Sequence, residues 1–379
     1  MTEAGQQRVV RAEDVAHMGF TEVVRHAPYI YSQYRKLVAE IERERPDVAV
    51  LIDFPEVNFR LARRLKRLGV PVLWFVSPQL WAWKRGRIRL VQRLVDRMMV
   101  IFPFEAEFYC ARGVAAEFVG HPLAALPLPT VSRDAYAVEH NLDPTKPWIA
   151  LLPGSRQSEI EKNLSEMLHA AALLNLDRDL NQEEVCQFLL PVASTIDPAW
   201  IKDEIAEHES AAEQLGFAVL PRILLVDDAR AALLHARASI VASGTATVQA
   251  LTIGNPFVVV YRVSALTFAL AKRLIRYPAE IPAELDADGN LPIAMVNLIA
   301  GKRIVPELLN ERFTAANLAD ALRLLLDETP ERAQMIADLA EARAKLMPPS
   351  VDDPIRRVSE AVIELLQSTS TATTSSPSS

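Results

Sequence analysis

Cysteine is nearly missing from this chain: only Cys110 and Cys186 occur in 379 residues, far apart and without partners at metal-ligand spacing. So sparse a set fits a reducing compartment. Long apolar runs are missing as well. The start, Met1 to Val9, is polar and has no apolar centre of the kind a signal peptide needs, and no run of about 18 uncharged apolar residues occurs anywhere. A cytoplasmic protein is expected, with any membrane contact peripheral. The seven histidines are scattered and His121, in Gly-His-Pro, stands alone, so no metal site and no cofactor are expected. There is no Walker A loop, no Gly-x-Ser-x-Gly elbow and no short-period repeat. The formal net charge of −7 argues against a nucleic-acid partner.

Half of the residues are hydrophobic, and the length suffices for two domains with separate cores. A helical stretch is expected from Met18 to Pro46. Beyond it, Val48–Ile52 is a continuous apolar run ending at Asp53, as a strand buried on both faces would look. Asn58–Leu68 reads as a basic amphipathic helix, Pro71–Val76 and Met98–Phe102 as strands, and Ala116–Gly120 as a short strand. Strands alternating with helices at this spacing predict a parallel, doubly wound α/β sheet. Residues 122–147, rich in proline, look like a connection to a second such unit. There the expected strands are 149–152, 187–192, 217–220, 239–242 and 256–261, followed by helices near 313–327, 331–346 and 355–367. The expected divisions are a first Rossmann-like domain over 1–145, a second over 146–350, a last helix over 351–367 that returns to the first domain, and a disordered Ser/Thr/Pro tail over 368–379.

Ligands of open parallel sheets bind outside the carboxyl ends of the strands. That rule selects Asp53, Ser77, Pro103, Gly154 to Arg156, and Ser243 to Thr245. In Pro153-Gly154-Ser155-Arg156 the glycine permits a close turn, Ser155 is placed to cap the helix that follows, and the free N–H groups of the helix start make an anion site. Arg156 adds a planar fork suited to a diphosphate, or is simply a solvated surface residue. Asp53 follows a strand, so partial desolvation would raise its pKa towards general-base work; capping the next helix or pairing with an arginine is the competing role. Trp74, Trp81 and Trp83 stand beside Lys84, Arg85, Arg87 and Arg89. Aromatic bodies with adjacent cations suit a lipid–water boundary, although a partly buried Trp cluster bordered by a solvated helix has the same composition.

A series of short motifs runs through the chain: Met18-Gly19-Phe20-Thr21-Glu22-Val23, Pro46-Asp47 with Ile52-Asp53-x-Pro55-x-x-Asn58, Val76-Ser77-Pro78-x-x-Trp81-Ala82-Trp83, Pro103-Phe104-Glu105-x-x-Phe108-Tyr109, and Phe118-Val119-Gly120-His121-Pro122-Leu123. It continues in Leu151-Leu152-Pro153-Gly154-Ser155-Arg156-x-x-Glu159, Ala242-Ser243-Gly244-Thr245-Ala246-Thr247, Tyr261-Arg262, Asn297-x-x-Ala300-Gly301, and Pro306-Glu307-Leu308-Leu309. In this order and spacing, over roughly residues 15–325, the set resembles the lipid-A-disaccharide synthases, glycosyltransferases of the two-Rossmann (GT-B) type whose sheets face across a cleft.

The resemblance implies transfer of 2,3-diacylglucosamine from UDP to the 6-hydroxyl of 2,3-diacylglucosamine 1-phosphate, with inversion to a β-1,6 link. It implies Asp53 as general base and Arg156 as holder of the departing diphosphate, and fixed donors of this kind could replace a metal. Ser77, Gly154, Ser155, Ser243, Gly244, Thr245, Tyr261, Arg262 and Asn297 would complete the substrate site with Asn58, Trp83 and Glu159. Since both substrates are acylated, the cytoplasmic membrane surface is an implied partner.

The sequence departs from the family pattern at Gln249 (a glutamate is usual, for the ribose), Glu56 (aspartate), Gln79 (serine) and Asn310 (glutamine). The acidic 280–292 loop is longer than usual. A glycine-rich strand–turn–helix block that family members carry first is not present, so the natural start is expected upstream of Met1. A shortened, inactive nucleotide-sugar-binding remnant and a UDP-sugar epimerase of the same architecture are the alternatives.

Overall fold

The computed structural model describes residues 5, 7–10, 27–181, 183, 185–214 and 219–374. The Met18–Val23 motif and the expected start of the first helix lie outside the described residues. Among the described residues ten strands form two sheets, each wholly parallel. The first holds β1 (Ala49–Ile52), β2 (Val72–Phe75), β3 (Arg97–Val100) and β4 (Ala116–Phe118) in sequential order. The second holds β5 (Trp148–Leu152), β6 (Gln187–Pro191), β7 (Ile223–Val226), β8 (Ala238–Ala242), β9 (Phe257–Tyr261) and β10 (Glu307–Leu309), in the order β10-β9-β8-β5-β6-β7. Parallel neighbours need long crossovers, and helices supply them.

The chain divides into two compact units. One runs to Ala125 and resumes at Met347; the other is Leu126–Leu346. Residues 126–145, expected with the first domain, belong to the second. The helix Arg133–His140 lays Tyr136 near Trp148, ring centroids 6.1 Å apart, and the Arg133 guanidinium stacks 3.7 Å above the same indole.

In the first unit, Pro55–Arg67 buries Phe59, Leu61, Ala62 and Leu65 and places Arg64, Lys66 and Arg67 in its last turn, where they oppose the helix dipole. Phe59 packs on Trp74, centroids 4.9 Å apart. The helix Pro354–Thr374 joins this unit through Arg357, which pairs with Glu117 and Glu364, while Arg97 pairs with Glu364. It extends beyond 367, into the stretch expected as a disordered tail. β1 also differs from expectation. It is the last strand of its sheet, and only Leu51 is buried; Val50 and Ile52 are 40% and 49% exposed. Among the described residues no strand pairs with its outer edge, so an apolar run here does not mean burial on both faces.

In the second unit, all five residues of β5 are buried, and β6 and β8 pair with it on either side. The helix Gln157–Leu180 buries Ile160, Leu164, Met167, Leu168, Ala171 and Leu174, the residues at apolar helical spacing. Of the strand expected at 217–220, only residues 219–220 are described and they are in no strand; the strand seen here is Ile223–Val226. Residues 215–218 lie outside the described residues. Of two apolar runs separated by Pro221-Arg222, the second is followed by Asp228, whose carboxylate accepts the N–H groups of Arg230 and Ala231 and starts the next helix. The 280–292 loop is held by Asp286, which accepts the N–H groups of Asp288 and Asn290, and by Arg303 beyond it, which donates to the Asn290 carbonyl at 2.8 Å.

Leu164 is fully buried in a cluster with Leu168, Leu190, Ile201 and Ile205. Leu164→Ala is expected to destabilise the second unit by about 2–5 kcal/mol in urea unfolding. A loss below about 1 kcal/mol would mean that the cluster collapses around the lost methyls.

Candidate active site

The strand order of the second sheet reverses at β5: the next two strands step to one side, and the following three to the other. The carboxyl ends of β5 and β8 therefore flank a topological switch point, the place where such sheets take ligands. Pro153–Arg156 leaves β5 there. Gly154 has φ +141°, and a Cβ on it would lie 2.5 Å from the Glu159 Cβ and 2.7 Å from Oε2. Backbone and space both require glycine.

Ser155 was expected to cap the helix, and it does not. Arg156 is the cap residue, with extended backbone and no side-chain cap bond. Glu159 in the first helical turn reaches back to do this work. Its Oε2 accepts the Ser155 N–H at 3.0 Å and its Oε1 the Arg156 Nη1 at 2.7 Å.

Two further residues hold this turn. Asn163 Nδ2 donates to the Pro153 carbonyl at 2.7 Å, and Thr195 Oγ1, from the loop after β6, to the Ser155 carbonyl at 2.8 Å. Neither was singled out by sequence. A signal existed for Asn163, a polar residue on the otherwise apolar stripe between Ile160 and Met167; Thr195 had none.

Beside β5, the Ser243–Thr245 turn leaves β8 through Gly244 at φ +150°, another backbone that favours glycine. Gln249 is half-buried one turn into the helix Thr245–Ile253. Tyr261 ends β9 with 37% exposure, and its phenol pKa is raised by burial and then by the charge of Glu159. Asn310 follows β10 with left-handed backbone, φ 44°; its Oδ1 accepts the Val263 N–H at 2.9 Å, and its Nδ2 is buried without a partner. Gly154–Arg156, Glu159, Ser243–Thr245, Tyr261 and Asn310 thus share the carboxyl edge of adjacent strands.

Two expected substrate contacts are differently employed. Asn297 is 1% exposed and its amide is fully committed. Nδ2 donates to Val305 O and Glu307 Oε1, while Oδ1 accepts from Ile304 N and Val305 N. It pins the approach to β10 from inside. Arg262 donates to Glu166 and the Phe313 carbonyl and lies 4.6 Å from the centre of the Phe313 ring. Both motif positions support the edge from behind.

In the first unit, Asp53 and Phe54 leave β1 at φ 45° and 43°, and Val76 leaves β2 at φ 62°. Left-handed backbone on such residues costs about 1–3 kcal/mol each and gathers at functional sites. The two turns are adjacent, because the Asp53 N–H donates to Phe75 O at 3.0 Å. Asp53 is exposed, so the expected desolvation does not arise; β1 is an edge strand and leaves it in water. Its carboxylate makes no hydrogen bond or ion pair among the described residues and caps no helix. Asn58, expected at the substrate, is buried, and its Nδ2 donates to the carbonyls of Ile52 and Asp53.

Ser77 is also buried, its Oγ 2.9 Å from Glu105 Oε1, and the Trp81 indole N–H lies 3.0 Å from the same oxygen. Trp83 is 54% exposed, with Lys84 Nζ 4.0 Å from its ring centre. Glu56 accepts from Lys84 and Arg87, whose hydrogen bond is the main cause of its lowered pKa. Among the described residues no group of His, Cys, Asp and Glu is arranged to hold a metal, and no helix is long and apolar enough to cross a membrane.

Solved structures share this architecture at low identity. The calicheamicin glycosyltransferase CalG4 superposes with a TM-score of 0.53 at 15% identity, covering 96% of this chain and 86% of that one. A UDP-GlcNAc 2-epimerase from Neisseria meningitidis, bound to UDP-GlcNAc, gives 0.50 at 12%, covering 93% and 83%. Two parallel α/β units, the second with glycine turns at the ends of β5 and β8, define a protein of the GT-B class, which holds glycosyltransferases and epimerases alike. Likeness at this level concerns the fold and does not favour the epimerase alternative. The family model for lipid-A-disaccharide synthetase matches residues 1–351. A lipid-A-disaccharide synthase of Acidobacterium capsulatum is 51% identical over 370 residues, 97% of this chain and 87% of the relative. The chain belongs to the lipid-A-disaccharide synthase family, and is a glycosyltransferase.

Gly154→Ala places a methyl against Glu159 on a backbone that side chains rarely adopt. It is expected to lower the stability of the second unit by about 1–3 kcal/mol in calorimetric unfolding. Unchanged stability would show that the turn has another conformation.

Proposed function

We propose that the chain joins two acylated glucosamines: 2,3-diacylglucosamine moves from UDP to the 6-hydroxyl of 2,3-diacylglucosamine 1-phosphate, with inversion. The observation that carries this reading, in a member of this family, is the pairing of the Gly154–Arg156 turn with the Ser243–Thr245 turn at the switch point of the second sheet. The first sheet supplies the exposed, unengaged Asp53 carboxylate. It takes the proton of the acceptor O6 as the bond from O6 to the sugar C1 forms. The bond from C1 to the diphosphate oxygen breaks in the same displacement, and its electron pair leaves with UDP.

Negative charge grows on the departing diphosphate. The Arg156 fork, the Ser155 N–H and the start of a helix of 24 residues are fixed groups that favour it. Glu159 engages two of these groups in the structure, and an arriving diphosphate takes its place, since two anions do not share one set of donors. Tyr261, Asn310, whose Nδ2 lacks a partner, and Gln249 stand along the same edge for the nucleoside and sugar hydroxyls.

The acylated substrates place the work at the cytoplasmic face of a membrane, with the protein attached peripherally. Not all of the basic residues are free for that contact, because Arg87 is tied to Glu56 and Arg97 to Glu364. Arg60, Arg63 and Arg67 make no ion pair among the described residues, and they line a groove of about 320 Å³ with Arg64, Tyr34 and Val38. Together with Trp83 they are the groups that suit an anionic lipid surface.

Asparagine tolerates left-handed backbone, so Asp53→Asn keeps the turn. It is expected to cut turnover by about 100-fold or more, with UDP affinity retained. Near-normal turnover in steady-state assays would remove the general-base role. Arg156→Ala is expected to lower both UDP affinity and kcat, and calorimetric titration showing wild-type affinity would contradict the diphosphate assignment. Replacing Arg60, Arg63 and Arg67 by serine is expected to reduce co-sedimentation with anionic vesicles at low salt and leave that with neutral vesicles unchanged. Equal loss on both would argue for an apolar attachment.

A further inference from the structure

Glu105 is 1% exposed, yet it is a carboxylate that the transfer chemistry above does not use. It sits in the helix Pro103–Cys110, which follows β3, and faces the segment that leaves β2. Three groups donate to it: Ser77 Oγ at 2.9 Å, Trp81 Nε1 at 3.0 Å and the Phe102 N–H at 3.2 Å. A carboxylate accepts all three; a neutral carboxyl carries an O–H of its own, and of the three only the Ser77 hydroxyl can accept it, by giving up its donation to Glu105. Burial opposes the charge and pushes the Glu105 pKa up to about 7, and the donors pull it back. Tyr109 is the titratable group that faces it. Burial, and then the Glu105 charge, raise the phenol pKa and keep it neutral, and its hydroxyl donates to Pro78 O.

The segment so held begins in strain. Val76, β-branched, has φ 62°, and its carbonyl accepts the Trp74 indole N–H at 3.2 Å. Trp81 is 1% exposed and meets Phe104 edge-on at 5.2 Å. Fastened from below at Ser77, Pro78 and Trp81, the segment leaves Gln79 and Trp83 exposed, and it begins one residue after Phe75, whose carbonyl accepts the Asp53 N–H.

We propose that Glu105 is a positioning residue for the transfer: its ionised carboxylate fastens Ser77 and Trp81 and so holds the strained Val76–Trp83 segment in register with Asp53. The proposal rests on the transferase reading above. Protonation of Glu105 turns its bond with Ser77 round and shifts the segment out of register, so transfer declines on the acid side of neutrality.

The test compares the whole chain with Glu105→Gln, a permanently uncharged side chain, and Trp81→Phe, which keeps the ring but removes one donor. In Glu105→Gln, kcat/KM is expected to fall about 10-fold or more at pH 8, and the acid limb near pH 7 to disappear, with the dissociation constant for UDP unchanged. In Trp81→Phe the limb moves to higher pH, because the carboxylate has lost a donor. This variant keeps the proposal testable if Glu105→Gln fails to fold.

A second readout needs no activity. Amide exchange at Leu80, Ala82 and Trp83, which donate to Pro78 O and Gln79 O, is expected to quicken in Glu105→Gln. The stability signature has a definite sign. The fold raises this pKa from the ordinary 4.5 to about 7, so it binds more protons than the unfolded chain between those values. The contribution of Glu105 to stability is therefore full below pH 4.5 and falls as pH rises towards 7, and the difference between wild type and Glu105→Gln must show this slope. Wild-type rate, pH profile and exchange in Glu105→Gln would overturn the proposal. A wild-type chain that transfers nothing would instead sink the transferase reading, and unchanged amide exchange would then dispose of the role of Glu105 as well.

Discussion

A central parallel strand has no polar backbone group to spare, and the second unit is arranged around that constraint. β5 is buried throughout and gives its backbone hydrogen bonds to β6 and β8. Groups able to meet a ligand therefore emerge only where the strand stops. At that point the chain has a few residues in which to end a strand, start a helix of six turns and more, and leave N–H groups outward. The glycine at 154, the carboxylate of Glu159, the amide of Asn163 and the hydroxyl of Thr195 are the means by which this short passage stays in one conformation. The first unit meets the same constraint with left-handed residues instead of glycine at the ends of β1 and β2.

Most strands were legible because parallel strands are continuous apolar runs, and the helices because their apolar residues recur at helical spacing. The errors have physical causes. Near β7 two apolar runs compete, and the decision lies with Asp228, which caps the following helix. At β1 the side chains of Val50 and Ile52 say that they are apolar, and cannot say whether a neighbour covers them. In the candidate site, motif order located Gly154–Arg156 and Ser243–Thr245 on the sheet edge, since backbone turns follow from chain position. The direction of a side chain does not. Asn297 and Arg262 carry family motifs but point into the protein, and Glu105, a charged residue in a short helix, reads as surface until Ser77 and Trp81 are folded over it.

The same difficulty applies to charge. The sequence has a conspicuous basic stretch, but carboxylates distant in the chain neutralise much of it: Glu56 holds Lys84 and Arg87, Asp96 holds Lys66, and Glu364 meets Arg97. Counting arginines overstates the cationic surface. What survives is a smaller set, placed on one face of the helix Pro55–Arg67, and it coexists with a net negative chain because opposite signs are sorted by position.

The helix Pro354–Thr374 packs with the unit that contains β1 to β4, although the whole of Leu126–Leu346 intervenes in the sequence. On the ribosome this orders events. The second unit is contiguous and can close as soon as it has emerged, whereas the first gains the Arg357 partner of Glu117 and the Glu364 partner of Arg97 only after the whole of the second has been made.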